Sequence, residues 1–356
     1  MKKTVAVGLS GGVDSAVCAL LLLKKGFNVI AVTMSIWDEK GPYKPLKKGC
    51  YGPIESKRIE DAEKVASILN IKHFVIDLKN EFKDLVLDYF IDEYNSGRTP
   101  NPCIVCNYKI KFSSLIEKLQ KNGIDFDFFA TGHYVRIFFD EKNKRYVLKR
   151  AIDTTKDQSY FLYRLTQKQL GQLLFPLGDY TKEEVKRIAI ESGLNDFVKK
   201  PESQDFGRFD FQYMENKYGC GNIIDIYGKI LGMHKGINQY TIGQRKGLNL
   251  KGMKKPHYVI KIDPIKNEIT VGTKENLMGS ELVAYDTNWI IPFEEIANKQ
   301  IYGQIRYKSR AGYCVIHPLS YDFYKVTFTT PQEAITPGQS IVFYDNDILL
   351  GGGIIK

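Results

Sequence analysis

The sequence predicts an α/β protein with a doubly wound parallel sheet, followed by a small central domain and a C-terminal antiparallel β-barrel. Before residue 201, short β-branched runs alternate with longer helical patterns, as is typical of βαβ units. A glycine-rich loop joins the first predicted strand to the first predicted helix. After residue 201, strand-like segments and glycine-containing turns replace the helical patterns, which favours a barrel.

The predicted elements follow one another in chain order. The first strand covers residues 5–7, the first helix residues 15–25 and the second strand residues 29–32. The pattern then predicts a helix over 59–69, a strand over 73–76, a helix over 81–93 and a strand over 128–131, with later strands over 268–271, 324–329 and 340–344. Ligands of such parallel sheets bind beyond the carboxyl ends of the strands.

The length of the chain indicates more than one domain. At 356 residues it exceeds a typical single domain. The change of pattern predicts a parallel-sheet domain over residues 1–205, a central domain over 206–278 and a barrel over 279–356.

Charge and composition favour a polyanionic partner and a cytoplasmic protein. Lysine and arginine number 51 against 41 aspartates and glutamates, for a formal charge of +10. The N-terminal segment has no apolar stretch of signal-peptide length, and the longest leucine run, residues 20–23, is too short to cross a bilayer. We therefore expect no membrane association. Six cysteines are a poor disulfide framework, so clustered ones are expected to bind metal or to be catalytic.

The glycine-rich loop predicts a phosphate site. Its glycines let backbone N–H groups approach an anion, its serines add hydroxyl donors, and the following helix adds positive potential. The loop consists of Gly8, Leu9, Ser10, Gly11, Gly12, Val13, Asp14 and Ser15. It lacks the Lys-Ser or Lys-Thr ending of a Walker loop. The alternative is a turn that binds nothing, but the two serines and the aspartate favour a binding role.

Two residues near this loop have alternative roles. Asp14 either holds Mg²⁺ between the phosphates or caps the helix. Met34 follows the second strand, where it either contacts an adenine base or belongs to the core.

Two thiols follow at CxxC spacing. Cys103 and Cys106 lie in the segment Pro-Asn-Pro-Cys-Ile-Val-Cys-Asn, residues 100–107. Two thiolates so spaced can ligate one metal ion or cluster, or resolve one another's persulfide. The alternatives are half of a zinc site or a buried cysteine without chemistry.

Several segments together resemble one family. SGGVDS at residues 10–15 resembles the PP-loop of ATP pyrophosphatases, which cleave ATP between the α and β phosphates. The whole set resembles the bacterial tRNA-specific 2-thiouridylases (MnmA/TrmU family) in content and order: GLSGGVDS at 8–15, TPNPC at 99–103, TGHY at 131–134, KDQSYFL at 156–162 and YTIGQRKG at 240–247.

The resemblance implies a function and roles for individual residues. It implies that ATP adenylates the C2 carbonyl of the wobble uridine in tRNAs for lysine, glutamate and glutamine, and that sulfur then replaces the oxygen. A cysteine desulfurase, a sulfur-relay protein or sulfide would donate the sulfur. Cys103 would be the nucleophile and Gly132 an ATP contact. The residues that would face tRNA are His133, Lys156, Asp157, Gln158, Arg306, Tyr307 and Gln339.

The sequence departs from the family at one catalytic position. The family usually carries a persulfide-bearing cysteine a few residues after a stretch like Glu-Ser-Gln-Asp, and here Glu-Ser-Gln-Asp-Phe at 202–206 is followed by Gly207. Asp205, in that stretch, is a candidate for proton transfer. Cys50, in the loop after the second strand, offers another thiol on a ligand-facing edge.

Three interpretations of the cysteines stay open. Cys50, Cys103 and Cys106 together would leave one open position on a 4Fe-4S cluster, as in iron-sulfur-dependent tRNA thiolases. A Cys103/Cys106 persulfide relay is the second interpretation, and an inactive or zinc-binding site is the third. Two other functions compete with tRNA 2-thiolation: a PP-loop paralogue that thiolates another nucleoside, and an inactive tRNA-binding protein.

Overall fold

The computed structural model describes residues 2–43, 45, 49–200, 206, 219–250, 252, 253, 255–297 and 299–356. The chain divides into two compact units. The first comprises residues 1–86, 103–209 and 347–349, and the second comprises residues 87–102, 210–346 and 350–356.

The first unit contains a five-stranded parallel sheet in the order β3-β2-β1-β4-β7, and β5 and β6 form an antiparallel hairpin beside it. The strands are β1 (Thr4–Gly8), β2 (Asn28–Ser35), β3 (Lys72–Asp77), β4 (Phe128–Ala130), β5 (Val135–Asp140), β6 (Arg145–Arg150) and β7 (Leu173–Leu174). β1 and β2 are buried through their middles, since helices cover this sheet. The predicted doubly wound fold is confirmed.

The helices of the described chain are α1 (Val13–Lys24), α2 (Glu55–Ile68), α3 (Lys79–Phe82), α4 (Asp88–Asn95), α5 (Pro102–Val105), α6 (Leu115–Lys121), α7 (Gln167–Leu170), α8 (Lys182–Glu191), α9 (Asn195–Val198) and α10 (Phe293–Ile296). The main core of the first unit forms where α1, α2 and α8 pack on the sheet. None of the helices in the described part of the chain has the length and apolar character that crossing a bilayer requires.

The order of the strands locates the ligand edge. β2 pairs with one side of β1 and β4 with the other, so the winding reverses between β1 and β4. Ligands of open parallel sheets bind in the crevice beyond the strand ends at such a reversal. The glycine-rich loop follows β1, and Gly132 follows β4.

The long helix predicted over residues 81–93 is interrupted. α3 ends at Phe82, a π-helical stretch covers Lys83–Leu87, and α4 continues from Asp88. A second π-helical stretch, Cys106–Ser114, follows the CxxC. The residues of a π-helical stretch bond partners five positions away, and no residue type signals this bonding, so the pattern predicted a continuous helix.

The second unit contains a mixed four-stranded sheet and a closed six-stranded antiparallel barrel. The sheet has the order β10-β11-β8-β9 and is built from β8 (Gly221–Ile224), β9 (Ile230–His234), β10 (Tyr258–Asp263) and β11 (Glu268–Gly272). The barrel strands are β12 (Met278–Trp289), β13 (Ile301–Gln304), β14 (Gly312–Ser320), β15 (Phe323–Glu333), β16 (Ser340–Asp345) and β17 (Ile348–Ile355).

Pairing of β12 with β17 closes the barrel, which confirms the predicted C-terminal architecture. Residues 347–349 group with the first unit, where Ile348 and Leu349 pair with β6.

Candidate functional site

The loop between β1 and α1 has the backbone of an anion cradle. Gly11 has a φ of +74°, and a Cβ there would lie 2.8 Å from the carbonyl oxygen of Arg58 and from Cβ of Asp61 in α2. Only glycine fits both the conformation and this close approach. Because α1 begins at Val13 with Gly12 as its N-cap, the first N–H groups of the helix lack intrahelical partners and face the loop.

Two hydroxyls complete the cradle. The Ser15 hydroxyl donates to the Gly12 carbonyl at 3.0 Å and accepts from the Ser10 backbone N–H at 3.2 Å. The two hydroxyl oxygens lie 3.3 Å apart, and Ser10 is exposed whereas Ser15 is buried. The chain thus holds the loop in place through Ser15 and presents Ser10 to a ligand. Leu9 and Val13 are buried in the core, so their backbones, not their side chains, line the site.

Neighbouring strands form the walls of the cradle. A Cβ on Gly132 would lie 2.8 Å from the Asp14 carbonyl carbon and 2.9 Å from the Ser15 nitrogen, so this glycine lets the segment after β4 approach the start of α1. A Cβ on Gly8 would have ordinary van der Waals contacts. Met34 is half-buried near the end of β2.

Asp14 is engaged by Tyr134, which belongs to the TGHY segment, and by Lys182, which the sequence did not single out. The Lys182 ammonium bonds both carboxylate oxygens, at 2.7 and 2.8 Å, and the Tyr134 hydroxyl donates to Oδ1 at 2.7 Å. Asp14 lies in the first turn of α1, and the N-cap residue of that helix is Gly12. A lysine at the start of a distant helix gives no local signal of this contact, although α8 is anchored there by the Thr181 capping box.

This pairing bears on Mg²⁺. A resident ion needs several oxygen ligands. The Asp14 carboxylate already accepts hydrogen bonds from the Lys182 ammonium and the Tyr134 hydroxyl. No group of three His, Cys, Asp or Glu side chains in the described ranges is arranged to hold a metal ion. The protein side of the loop therefore does not fit a resident Mg²⁺ site.

The structure brings Cys50, Cys103 and Cys106 into one neighbourhood of the first unit. Burial, and after it the nearby Cys103 and Cys106, raise the pKa of the Cys50 thiol to about 12, whereas Lys111 and Arg58 oppose the shift. The Cys50 thiol also points toward the Phe206 carbonyl, with a sulfur-oxygen distance of 3.9 Å.

These thiols differ in access. Cys50 and Cys103 are partly exposed, whereas Cys106 is buried and its pKa is raised by burial. As they stand, the three do not form a ligand set among the described side chains.

The remaining cysteines lie apart from this group. Cys18 is buried in α1 and Cys314 in β14, and burial raises the pKa of both thiols, that of Cys314 to about 12. Cys220 is exposed at the start of the central sheet. None of the three is among the groups that affect the pKa of Cys50.

A π-helix directs a lysine toward the thiols. In the π-helical stretch Cys106–Ser114, the backbone hydrogen bonds join residues five positions apart. Lys111 therefore lies one helical turn beyond Cys106. The Ser113 and Ser114 hydroxyls bond carbonyls five residues earlier, at 2.7 and 2.9 Å. Lys111 bonds the Asn107 amide oxygen at 3.0 Å. Sequence patterns missed Lys111, because α-helical spacing turns residues five apart away from each other.

His133 lies next to this group and is held neutral. Its Nδ1 is 2.6 Å from the Thr131 hydroxyl, and its ring packs against Phe112 and Phe175. Burial lowers the pKa of His133 well below 6.5, and the charge of Lys111 lowers it further. His133 is therefore a neutral ring that can form hydrogen bonds.

Hydrogen bonds of two of its own side chains hold the segment 156–158 in place. Asp157 is buried and accepts from Arg150 at 2.8 Å, from the Ala151 N–H at 3.1 Å and from the Ser159 hydroxyl at 2.8 Å. Gln158 accepts from the Tyr134 N–H at 3.0 Å. Asp157 thus shapes the loop, and Lys156, which is partly exposed, is the member placed at its surface.

The other predicted tRNA contacts lie in the second unit. Arg306 is exposed in the turn after β13, where its carbonyl accepts from the Ser309 hydroxyl, and Lys308 lies over the Tyr307 ring. Gln339 turns inward, since its amide donates to the carbonyls of Thr99 and Pro100. Asp205 and Gly207 lie outside the described residues.

Known proteins resemble the chain over its whole length. A family model described as tRNA methyl transferase HUP domain matches residues 3–207. Models described as tRNA methyl transferase PRC-barrel domain and as aminomethyltransferase beta-barrel domain match residues 210–273 and 279–355.

Among curated proteins, the chain is 46% identical over 361 residues to a tRNA-specific 2-thiouridylase MnmA 2 of Thermoanaerobacter sp., covering 99% of this chain and 97% of the relative. It is 48% identical over 362 residues to MnmA 1 of Caldanaerobacter subterraneus subsp. tengcongensis, again covering 99% and 97%. It is 47% identical over 355 residues to MnmA of Endomicrobium trichonymphae, covering 99% and 98%.

Proposed function

The chain belongs to the family of the tRNA-specific 2-thiouridylases, and from this premise we propose that it is an ATP-dependent tRNA-uridine 2-sulfurtransferase. Its substrates are ATP and the wobble uridine of the tRNAs for lysine, glutamate and glutamine. The observation that carries the proposal is the presence, in one compact unit, of a phosphate loop at the reversal of the sheet and a group of three thiols.

The first step activates the base. The loop of residues 8–15 holds the phosphates of ATP, Gly132 and Met34 border the nucleotide, and the uracil O2 attacks the α phosphate. A bond forms between O2 and phosphorus, and pyrophosphate leaves. Mg²⁺ arrives bound to the ATP phosphates, because Asp14 is already engaged by Lys182.

The second step replaces oxygen with sulfur. A hydrosulfide-level sulfur adds to C2, the C2–O bond breaks, and AMP leaves with the oxygen. We propose that Cys50, Cys103 and Cys106 present this sulfur, with Cys103 as the nucleophile and Asp205 assisting proton transfer. A cysteine desulfurase or a relay protein delivers sulfur already at the persulfide level. Free sulfide can serve only where it adds to C2 directly, because forming a persulfide from sulfide would need an oxidant.

Two sulfur routes use these thiols. A 4Fe-4S cluster bound by all three thiols would require them to move together, because they do not form a ligand set as they stand in the described part of the chain. In a relay, a persulfide on Cys103 attacks C2, Cys106 releases the thiolated base, and the resulting disulfide needs a thiol reductant. The positions of the thiols support their joint use, and iron content after anaerobic reconstitution separates the routes.

We further propose that tRNA is bound by His133, Lys156, Gln158, Arg306 and Tyr307. Asp157 and Gln339 instead shape the backbone, since their side chains turn inward. We also propose that the chain works in the cytoplasm in three domains, residues 1–205, 206–278 and 279–356. The formal charge of +10 supports a polyanionic partner. The logarithm of the tRNA binding constant should fall with the logarithm of salt concentration by about 0.7 to 0.9 for each phosphate neutralised. A flat salt dependence would contradict this proposal.

Methyl transfer and mere tRNA binding are the competing functions. Two of the matching models carry the words methyl transferase, whereas the curated relatives are named 2-thiouridylases. A methyltransferase has no use for a loop that holds a pyrophosphate, and a binding protein has no use for a nucleotide cradle. AMP release from ATP that depends on added tRNA would support the proposal, and ATP left intact in the presence of tRNA would refute it.

A further inference from the structure

Lys182 is a cation buried beside the phosphate loop. Its residue is 6% exposed, and its ammonium bonds both oxygens of Asp14, which belongs to the first turn of α1. The same ammonium lies 5.8 Å from the centre of the Tyr134 ring. Removing a lysine from water is costly unless it is paired, and such a pair by itself contributes little stability. The pair therefore calls for a role other than stability.

Rigid local structure fixes the position of Lys182. It is the first residue of α8, after Thr181, whose side chain and that of Glu184 form a capping box. The Lys182 backbone N–H donates to the Asp153 carboxylate at 3.0 Å. Because two separate anchors hold the start of α8, the ammonium is presented to α1 by the fold and does not reach it by chance.

The electrostatics of the loop supply that role. The N-terminus of α1 offers positive potential to a bound anion, and a carboxylate in its first turn cancels part of that potential. Asp14 is such a carboxylate, and a polyphosphate carries several negative charges into its neighbourhood. A cation on Asp14 removes the repulsion and leaves the backbone N–H groups free for the phosphate.

We propose that Lys182 is a positioning residue of the phosphate site, which neutralises and orients Asp14 so that the loop binds the pyrophosphate moiety of ATP. The inference rests on the proposed function, because it takes the loop of residues 8–15 to be the ATP site. It assigns to α8 a part of the nucleotide machinery that the loop sequence does not contain.

Binding of inorganic pyrophosphate, measured by calorimetry without Mg²⁺, tests the proposal. Lys182→Met keeps the length of the side chain and removes its charge, and we expect it to weaken pyrophosphate binding by on the order of tenfold, about 1.4 kcal/mol. The affinity of Lys182→Met for AMP, which carries a single phosphate, should fall by less. Lys186→Met is the matched control, since Lys186 is exposed on the same helix. The pyrophosphate affinity of this variant should stay within about twofold of that of the unsubstituted chain.

The double variant Asp14→Asn with Lys182→Met separates charge from architecture. It removes both charges, so pyrophosphate affinity should return to within about threefold of the unsubstituted chain. Two results would overturn the proposal: full affinity in Lys182→Met, or a double variant as weak as the single one while thermal unfolding shows both to be folded. Failure of the unsubstituted chain to bind pyrophosphate or ATP would instead refute the proposed function of the loop.

Discussion

The side-chain amide of Gln339 donates a hydrogen bond of 2.9 Å to the carbonyl oxygen of Thr99, and a second of 3.1 Å to that of Pro100. The turn containing Gln339 also accepts the Thr99 N–H, through the Pro337 carbonyl at 2.9 Å. Gly338, with a φ of +88°, lets the two backbones approach, because a Cβ there would lie 2.9 Å from the Thr99 nitrogen. A turn of the barrel thus holds the segment that leads to Cys103.

Gln339→Ala should slow thiolation more than it weakens tRNA binding. Loss of two hydrogen bonds, each contributing about 1 kcal/mol, releases the segment before Cys103, so we expect the single-turnover rate to fall by about tenfold. Gln332→Ala is the control, because the Gln332 amide bonds the nearby Thr330 carbonyl. A loss of tRNA affinity with an unchanged rate at saturating tRNA would instead make Gln339 the direct tRNA contact that the family resemblance implies.

Ser10→Ala and Asp14→Ala should each abolish AMP formation and leave tRNA affinity largely intact. Ser10 presents its hydroxyl at the cradle, and Asp14 is the anchor for Lys182 and Tyr134. AMP release and tRNA filter binding are measured on the same samples, with Ser67→Ala, an exposed position of α2, as the control. Equal loss of tRNA binding and AMP formation would show that nucleotide and tRNA share one site.

His133 should stay neutral throughout the working pH range. Burial, and then Lys111, lowers its pKa below the ordinary value of 6.5, so the unfolded chain takes up this proton more readily than the folded chain. The contribution of His133 to stability is therefore complete above about pH 6.5 and is lost as the pH falls below that value.

Urea unfolding at several pH values from 5 to 8 tests this sign, with proton NMR following the imidazole. His133→Asn should flatten the acid-side decline in stability, whereas His317→Asn, at an exposed position, should leave it unchanged. An imidazole of His133 that becomes protonated near pH 7 would be contrary to this account.

Alanine substitution of Cys50, Cys103 or Cys106 should abolish thiolation, and substitution of Cys18, Cys220 or Cys314 should not. The first three share one neighbourhood, whereas Cys18 and Cys314 are buried in hydrophobic surroundings and Cys220 is exposed in the second unit. All six variants are reconstituted anaerobically and assayed for iron and thionucleoside. Iron lost together with activity supports the cluster route.

Full activity of Cys50→Ala without iron would leave the Cys103/Cys106 relay as the route. Loss of activity in Cys220→Ala would show that the sulfur passes through a thiol of the second unit.

Much of the fold could be predicted from the sequence because its signals are local. Apolar runs such as residues 5–7 and 29–32 fix the parallel strands, and the Gly-Gly pair at 11 and 12 fixes the turn into α1. The interruption of the predicted helix at Lys83–Leu87 was not predicted, because a π-helical insertion depends on packing rather than on residue type.

The candidate site was predictable where its residues are adjacent in sequence, as in the loop and the CxxC. Lys182 was not, because it reaches Asp14 across 168 positions and lies in an ordinary amphipathic helix. Asp157 was expected at the tRNA surface, whereas its carboxylate is directed inward by Arg150 and Ser159. A motif identifies a residue but does not say which way its side chain points.

The nucleosides of a substrate tRNA test the central claim most directly. A wobble-uridine tRNA is incubated anaerobically with the protein and ATP, in one sample with sulfide and in another with cysteine and a cysteine desulfurase. Both samples are digested and analysed by mass spectrometry, and the AMP released is counted. The account predicts 2-thiouridine at the wobble position and one AMP for each sulfur inserted. A methylated nucleoside, or AMP release with every uridine unchanged, would contradict it.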